Sequence, residues 1–366
     1  MQNSRNKQFS EWGGDTTQIT KTKFHLEKKG LIVDINSSIV ADLSNYDLVH
    51  IFNIQEPENG LKQSLNAKKN NLPITLSPIY WDLSYGLNYK DLHSYSSSSA
   101  VRMAARVNKN IPHILSRLQV FFDNQKQFNK VRAMLQLADI ILPNSYAELE
   151  ILIYKFKMPE LRKKALIVPN CTSMTDFDLY KAQRPPKEVL KLPDEYVLQV
   201  GRLETWKGQL NLIKALFNFP DIPLVFIGNK NSFYAKECIK SGKKRGNTYF
   251  LNEIPHEDLH HYYSRAKIHA LPSLRDSPGL STLEAASFGV NCVVSIHGPI
   301  TEYFGFDVFV CDPQNIKSIQ DAVFKAWKSP KSNKLKNRIL HHFTWNKAAD
   351  MTLKAYKHVL KSSCSN

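Results

Sequence analysis

Two cations near the end of an apolar strand are the first residues in this chain that could do chemistry. Arg202 directly follows Gly201, where the apolar run 196–200 ends, and Lys207 precedes Gly208 and a helical pattern. Cationic donors beside a helix N-terminus, at the carboxyl end of a parallel strand, form a good site for a diphosphate. The spacing alone is equally compatible with two solvated charges on a loop.

A second loop carries two acids and the start of a helix. Asp276 lies before the helical pattern that begins at Leu280, and Glu284 follows in its second turn. Both carboxylates could face one cleft and accept hydrogen bonds from sugar hydroxyl groups. The first N–H groups of this helix have no partner inside it and attract phosphate. Asp276 alone also fits an ordinary acid at a helix start.

These two loops resemble the donor domain of the family 4 glycosyltransferases, which have the GT-B fold. The matching residues are Gly201-Arg202, Lys207-Gly208, Pro272-Ser273, Asp276, Gly279-Leu280, Leu283-Glu284-Ala285 and Gly289. Other segments match the family in the same order, namely 138–141, 144–145, 168–170, 298–299, 302–305 and 343–356. The resemblance therefore covers nearly the whole chain.

The resemblance implies a role for each residue of the donor site. Arg202 and Lys207 would neutralise the donor diphosphate and help it to leave, and Glu284 would hold the ribose of the nucleotide. Asp276 stands where the family has a glutamate that contacts the donor sugar, so its side chain is one methylene shorter. The implied donor site is completed by Gly13, Gly14, Ile254, Pro278, Gly279 and Leu280.

Gly13-Gly14 resembles the glycine loop that approaches the donor phosphates from the first domain. Glycine permits such a close approach of the backbone. The family has a β-strand before this loop, whereas only the polar residues 1–12 precede it here. Either the chain is truncated at its start or that strand is abbreviated. Ile254 stands where the family packs the nucleobase, although a plain strand end fits its position equally well.

Two residues are candidates for the acceptor side of the reaction. Asp82 follows Tyr80 and Trp81, where it could contact an acceptor sugar, and it is the candidate for a catalytic role there. His50 lies inside an apolar strand pattern and is interpreted as a buried core histidine.

No metal and no other cofactor is expected. The D-x-D sequence at 176–178, a metal–nucleotide motif of another glycosyltransferase fold, lies away from the donor strand ends and is interpreted as a polar turn. His and Cys residues do not cluster with metal-ligand spacing. Arg202 and Lys207 would replace a divalent ion in charge. A UDP- or GDP-hexose is then the substrate of a metal-independent transfer.

Composition restricts the class of protein and its partners. With 366 residues, 42% of them hydrophobic, the chain can build two domains and is not disordered. The net charge of +16, spread over both halves, favours anionic partners such as nucleotides or an anionic membrane surface. Specific nucleic-acid binding is not expected, because no known module accompanies the charge. The scattered cysteines and the polar N-terminus predict a cytoplasmic protein.

One basic stretch could contact a membrane. Residues 101–132 mix seven Lys and Arg residues with Phe121 and Phe122. Such an amphipathic helix can lie on an anionic membrane surface, which would suit a lipid-linked acceptor and a peripheral location on the inner face of the membrane. A solvated helix face is the alternative.

Alternating strand and helix patterns must position these residues, and they predict βα units with parallel sheets. Predicted strands are 31–35, 48–54, 73–79, 140–143, 165–168, 196–200, 224–227, 248–251, 269–271, 292–295 and 308–311. Predicted helices are 17–29, 100–137, 146–157, 208–217, 257–266, 280–288, 316–328 and 345–361. The proline-containing segment 181–193 is the candidate linker.

With the resemblance, these patterns predict an α/β protein of the GT-B fold, in which two Rossmann-like domains face each other across a cleft. Residues 1–184 would form the acceptor-side domain and residues 185–344 the donor domain. Residues 345–366 would form a helix that packs back on the first domain.

The function implied is that of a retaining glycosyltransferase. It would move a hexose from a nucleotide sugar to a saccharide or lipid-linked acceptor in cell-surface polysaccharide or lipopolysaccharide biosynthesis. A sugar phosphorylase or a nucleotide-sugar-dependent synthase is the alternative within the same fold. A non-catalytic nucleotide-sugar-binding protein and a basic nucleic-acid-binding protein are the alternatives from other classes.

Overall fold

The computed structural model describes residues 1–5, 13–80, 125–172 and 184–363. Contacts divide the chain into two compact units. The first contains Met1–Val168 and Asp350–Asn366, and the second contains Pro169–Ala349. The domain boundaries inferred from the sequence, after residues 184 and 344, stay predictions. Most of the basic stretch, residues 101–124, lies outside the described residues.

The first unit is built on a four-stranded parallel sheet in the order β1-β2-β3-β4. Its strands are β1 (Gln2–Asn3), β2 (Val49–Phe52), β3 (Ile74–Ser77) and β4 (Ile140–Ile141). Its described helices are α1 (Gly14–Glu27), α2 (Pro57–Lys69), α3 (Tyr146–Phe156), the stretch 125–137 and a 3₁₀ helix at Pro159–Lys164.

The first strand, β1, consists of two polar residues. Gln2 pairs with Ile51 and Asn3 with Phe52. The side chains of this strand are buried, and Asn3 donates through Nδ2 to the Asp15 carboxylate at 3.0 Å. A strand of buried amides has no apolar run, which is why its position could not be read from the sequence.

Two of the strands predicted for the first half are wrong. Residues 31–35 form no strand, because Ile32 is 94% exposed and Val33 is the buried apolar side chain of that segment. The predicted strand 165–168 is reduced to a single bridge between Ile141 and Ala165. Both segments have too few ladder hydrogen bonds to be strands.

Helix α2 was not predicted, for a physical reason. Its buried positions include Gly60, Gln63, Ser64 and Ala67, which are small or polar. Such a face packs closely against the sheet, but its residues do not form the pattern of apolar side chains every 3.6 residues that indicates a helix in a sequence.

The second unit is built on a six-stranded parallel sheet in the order β10-β9-β8-β5-β6-β7. The strands are β5 (Val197–Val200), β6 (Leu224–Ile227), β7 (Thr248–Leu251), β8 (Ile268–Leu271), β9 (Asn291–Ser295) and β10 (Phe309–Cys311). All six lie within one residue of their predicted bounds. Most of them are buried apolar runs, which are the clearest strand signal in a parallel sheet.

Helices and short 3₁₀ turns connect these strands. The helices are α4 (Lys187–Leu190), α5 (Gln209–Ala215), α6 (Phe233–Arg245), α7 (Leu259–Arg265), α8 (Leu280–Ser287), α9 (Ile300–Phe304), α10 (Ile316–Lys328) and α11 (Asn333–His342). The 3₁₀ helices are Thr205–Lys207 and His256–Asp258. Helix α4 lies in the predicted linker, where Val189 is fully buried.

The strand order of the second sheet contains a switch point. Strands β5 and β8 are neighbours, but the chain continues from β5 to β6 on one side and from β8 to β9 on the other. In open parallel sheets, ligands bind outside the carboxyl ends of the strands at such a point. Residues 201–208 leave β5 there and residues 272–279 leave β8.

The last helix, α12 (Trp345–Ser363), belongs to the first unit from Asp350 onward. Asp350 Oδ1 lies 2.6 Å from Nζ of Lys29, which follows α1. Tyr356 Oη lies 2.7 Å from Nδ1 of His50 in β2. The return of the C-terminal helix to the first domain is therefore confirmed. Among the helices of the described residues, none has the length and hydropathy needed to cross a membrane.

Candidate functional site

The loop after β5 is fitted closely against the loop after β8. Gly208 ends the 3₁₀ helix with φ +74°, and a Cβ there would lie 2.1 Å from the carbonyl oxygen of Pro272. Only glycine meets both conditions. The turn therefore brings Lys207, the preceding residue, against the loop that follows β8.

Hydrogen bonds and a cation–π contact hold the two loops together. The N–H of Leu274 donates to the carbonyl of Trp206 at 2.7 Å, and Ser273 Oγ donates to the same carbonyl at 3.0 Å. The guanidinium of Arg275 lies 4.3 Å from the centre of the Trp206 ring. Neither Trp206 nor Arg275 is a predicted site residue, although each is adjacent to one.

Lys207 and Asp276, which are far apart in the sequence, form an ion pair in this structure. Lys207 Nζ lies 2.7 Å from Asp276 Oδ1, and the two side chains are 20% and 18% exposed. The ammonium group has three donors, so two remain after this bond. The other carboxylate oxygen, Asp276 Oδ2, is buried and has no hydrogen-bond partner among the described residues.

Arg202 lies at the more open side of the same loop. Its Nη1 is 3.3 Å from Glu204 Oε1, and its side chain is 39% exposed. Gln209 fixes the backbone at this point by donating to the Arg202 carbonyl at 3.0 Å. With five N–H donors, the guanidinium keeps several for a ligand. The contact with Glu204 was not predicted.

The start of helix α8 provides backbone donors. Gly279 has φ +91°, and a Cβ there would lie 2.8 Å from Leu271 Cδ2. The N–H groups of Gly279, Leu280 and Ser281 make no hydrogen bond within the described part of the chain. The structure thus has the unpaired donors that the sequence predicted at this helix start.

A small open pocket adjoins these donors. It is lined in part by Leu271, Asp276, Pro278, Thr282, Ser295 and Phe304. Thr282 is fully buried, and its Oγ1, like Asp276 Oδ2, lacks a hydrogen-bond partner among the described residues. An acceptor and a hydroxyl without partners in one pocket wall suit a ligand with several hydroxyl groups.

Glu284 is held on both carboxylate oxygens. His256 Nε2 lies 2.8 Å from Oε1, and the hydroxyl of Tyr263 donates to Oε2 at 2.9 Å. The Glu284 residue is 6% exposed. Burial, with the Glu284 carboxylate close by, raises the pKa of Tyr263 well above its ordinary value. The sequence predicted Glu284 but missed His256 and Tyr263, and the separation of these residues in the chain gave no signal of the contact.

The predicted residues of the first unit form a separate cluster. Gly13 precedes α1, and a Cβ there would lie 2.8 Å from Asp15 Oδ1. Arg5 Nε donates to the Asp15 carboxylate at 2.8 Å. Gly14, the first residue of α1, and Gly13 thus lie beside a partly buried ion pair. Arg5 is not among the residues predicted from the sequence.

The remaining candidates are either core residues or lie outside the described part of the chain. His50 is 1% exposed and lies between Tyr356 Oη and Ser77 Oγ. Burial lowers its pKa well below the ordinary value, as expected for a neutral core histidine. Asp82 and the D-x-D sequence at 176–178 lie outside the described residues. Within 1–5, 13–80, 125–172 and 184–363, no three His, Cys, Asp or Glu residues could hold a metal ion together.

Sequence comparisons point to one family. Residues 181–341 match the family model of the glycosyl transferases group 1. The O-antigen chain mannosyltransferase B of Escherichia coli is 25% identical over 173 residues, or 44% of this chain and 45% of that protein. The mannosylfructose-phosphate synthase of Agrobacterium fabrum is 23% identical over 317 residues, or 78% of this chain and 69% of that protein. The chain spans less than half the length of the first curated relatives it matches.

Structural comparisons agree on the fold. The Anabaena protein HepE, solved in complex with UDP, superposes with a TM-score of 0.68 at 15% identity, covering 98% of each chain. The sucrose-phosphate synthase of Thermosynechococcus elongatus superposes with a TM-score of 0.61 at 17% identity, covering 96% of this chain and 81% of that one. Both likenesses extend over nearly all of this chain.

Proposed function

We propose that this chain, which has the GT-B fold and matches the glycosyl transferases group 1 over residues 181–341, is a glycosyltransferase. It transfers a hexose from a nucleotide sugar to a saccharide or lipid-linked acceptor with retention of configuration. The donor is a UDP- or GDP-hexose. Arg202, Lys207 and Asp276 act on the reacting part of the donor, and Glu284 and Ile254 bind its nucleoside.

The observation that carries this proposal is the ion pair of Lys207 and Asp276 at the switch point of the second sheet. It joins the loop after β5 to the loop after β8, with an N–O distance of 2.7 Å. Two donors of Lys207 and those of Arg202 remain for a diphosphate, and the N–H groups at the start of α8 add to them. A site that combines cations, amides and a carboxylate suits a phosphorylated sugar.

These residues promote the departure of the diphosphate. The bond between C1 of the hexose and the diphosphate oxygen breaks while a bond forms from C1 to the acceptor oxygen. Negative charge grows on the leaving diphosphate, so Arg202 and Lys207 bind the transition state more strongly than the ground state. With retention, the acceptor oxygen enters on the face that the diphosphate leaves, and its proton passes to the departing phosphate oxygen.

The pocket beside α8 receives the hexose in this proposal. Hexose hydroxyl groups would donate to Asp276 Oδ2 and exchange hydrogen bonds with Thr282 Oγ1, which both lack partners among the described residues. Lys207 holds the other oxygen of Asp276, so the carboxylate is fixed before the sugar binds. A fixed acceptor costs less reorganisation during the reaction.

The named relatives and the charge of the chain support a proposal for its biological setting. Named relatives include an O-antigen chain mannosyltransferase, so we place this protein in cell-surface polysaccharide or lipopolysaccharide biosynthesis. Its net charge of +16 favours an anionic surface. We therefore propose a cytoplasmic protein that associates with the inner face of the membrane.

A donor screen tests the proposal. Thermal unfolding is measured with UDP-, GDP- and ADP-hexoses, since a ligand at about 100 times its Kd adds about 2.7 kcal/mol to the free energy of unfolding. The donor that stabilises the protein is then incubated with saccharide acceptors, and the product is analysed by mass spectrometry and NMR. We expect transfer with retained configuration that persists in EDTA.

Three other outcomes would contradict the proposal. If no nucleotide sugar stabilises the protein against thermal unfolding, the proposed donor site is contradicted. Donor binding without hydrolysis or transfer would favour a non-catalytic nucleotide-sugar-binding protein. Loss of turnover in EDTA, restored by Mn²⁺ or Mg²⁺, would contradict a mechanism in which Arg202 and Lys207 neutralise the diphosphate.

A further inference from the structure

The partners of Glu284 differ in their surroundings. Tyr263 is fully buried and its ring lies 5.9 Å from that of Phe288, so it reaches the carboxylate from the core. The His256 side chain is 42% exposed and reaches the carboxylate from the surface, on the 3₁₀ helix that follows β7. The carboxylate therefore lies between one rigid core donor and one surface donor.

This arrangement leaves the carboxylate able to bind a ligand. An ionised carboxylate has about four acceptor positions. His256 and Tyr263 use one on each oxygen, so each oxygen retains another. Two adjacent acceptors match the two neighbouring hydroxyl groups of a ribose, provided that the carboxylate plane is fixed. A carboxylate held by Tyr263 alone could still rotate about its last side-chain bond.

We propose that His256 is a positioning residue, which fixes the plane of the Glu284 carboxylate for the hydroxyl groups of the donor ribose. The inference rests on the proposed function, in which Glu284 binds that ribose. His256 donates through Nε2 to Oε1 and does not itself contact the reacting atoms. Ile254, proposed to contact the nucleobase, is two residues away on the same segment, so nucleobase and ribose recognition share one short piece of chain.

The experiment compares ribonucleotides with their 2′-deoxy analogues. Calorimetry gives the Kd of UDP, 2′-deoxy-UDP, GDP and 2′-deoxy-GDP. For the nucleotide that binds, the Kd of the 2′-deoxy form is divided by the Kd of the ribonucleotide, and this ratio is compared between variants. We expect a ratio of about tenfold or more in the parent protein, as for a hydrogen bond to a charged group. The ratio should fall to below about threefold in His256→Ala and stay near the parent value in His256→Gln, whose amide also donates.

Two controls make the result specific. His342→Ala removes an exposed histidine elsewhere in the second unit and should leave the ratio unchanged. Pyrophosphate should bind all variants equally, because His256 does not contact the diphosphate cations in this account. His256→Ala should also unfold at a temperature close to that of the parent protein. If it does not fold, the comparison of His256→Gln with His256→Leu replaces it.

The possible failures can be told apart. A parent ratio near one, also near one in Glu284→Gln, would contradict the ribose role of Glu284 and thus the proposed function. A large parent ratio that Glu284→Gln abolishes but His256→Ala preserves would overturn only the inference about His256. A ratio that rises in His256→Ala would show that His256 competes with the ribose, which also contradicts the inference.

Discussion

Each acid of the proposed donor site is paired with a base from another element. Asp276 lies against Lys207, and Glu284 lies against His256. The roles of the two acids should differ, because Asp276 has a buried oxygen without a described partner, whereas both oxygens of Glu284 have one. In this account Asp276 acts on the hexose and Glu284 on the nucleoside.

Substitutions of Asp276 test its role. Asp276→Asn keeps the shape but loses the charge that holds Lys207, so kcat should fall about tenfold or more while the donor KM changes less, as measured from initial rates. Asp276→Glu restores the side-chain length of the family and should retain more activity than Asp276→Asn. Asp221→Asn, at an exposed turn, is the matched control. Unchanged kcat in both Asp276→Asn and Asp276→Ala would leave Asp276 as a mere acid at a helix start.

At the scale of elements, the site depends on how closely the loops after β5 and β8 approach each other. Gly208 permits this approach by its positive φ and by the absence of a Cβ, which would lie 2.1 Å from the Pro272 oxygen. Gly30, in the turn after α1, also has a positive φ, +87°, but nothing lies within 4 Å of its Cβ position. Alanine substitutions at the two glycines therefore distinguish two contributions to the loss of stability. One is the strain of an alanine at positive φ, and the other is the steric clash of its Cβ with the Pro272 carbonyl.

This pair gives a prediction for an element. Gly30→Ala should lower the free energy of unfolding by about 1 kcal/mol, the cost of an alanine at positive φ, and leave kcat/KM unchanged. Gly208→Ala should destabilise more, by about 2–4 kcal/mol, because backbone must also move. It should lower kcat/KM at least tenfold, since Lys207 shifts with the loop. Urea unfolding and donor kinetics measure both effects, and equal behaviour of the two variants would show that the close approach is unimportant.

How much of the fold the sequence predicted varies between elements. The six strands of the second unit were placed within one residue because most are buried apolar runs between turn residues. Strand β1 and helix α2 were not placed, since their buried faces consist of amides and small residues. The contact partners His256 and Tyr263 were missed because a contact between distant positions depends on tertiary packing. Lys207 and Asp276 could be proposed from the sequence because each follows a strand end at one edge of a parallel sheet.

At the scale of the whole molecule, buried histidines make stability depend on pH. His269 in β8 is fully buried, and burial lowers its pKa to about 3. The unfolded chain takes up the proton below about pH 6.5. Between these values the unfolded state binds more protons than the folded state, so stability is lost as the pH falls. His50 adds the same effect in the first unit, where burial also lowers its pKa.

The second unit should therefore become less stable as the pH falls. Between pH 6 and pH 4, His269 should contribute a loss of about 1.4 kcal/mol per pH unit. Denaturant unfolding at several pH values measures the slope, and His269→Leu should reduce it by about that amount. His342→Leu, at an exposed position, should leave the slope unchanged. An identical slope in His269→Leu and the parent would mean that His269 is protonated in the folded protein.

The net charge of +16 predicts the behaviour of the whole molecule at a membrane. We expect binding to vesicles that contain anionic lipid, weak binding to neutral vesicles, and release by salt, because each Lys or Arg near an anionic surface contributes about 1 kcal/mol. Flotation with both vesicle types, at low and high salt, gives the result. Equal binding to both types, or binding to neither, would contradict the proposed peripheral location.

The most direct test of the account is the rate of transfer by Lys207→Ala. Lys207 lies 2.7 Å from Asp276 at the switch point and provides the donors proposed for the diphosphate. With the donor found by the screen, we predict that kcat/KM of Lys207→Ala falls about tenfold or more, as expected for the loss of a charge-assisted hydrogen bond. The control is Lys214→Ala, which replaces an exposed lysine of α5 and should keep the parent value. Equal kcat/KM in Lys207→Ala, Lys214→Ala and the parent protein would contradict the placement of the donor diphosphate at this site.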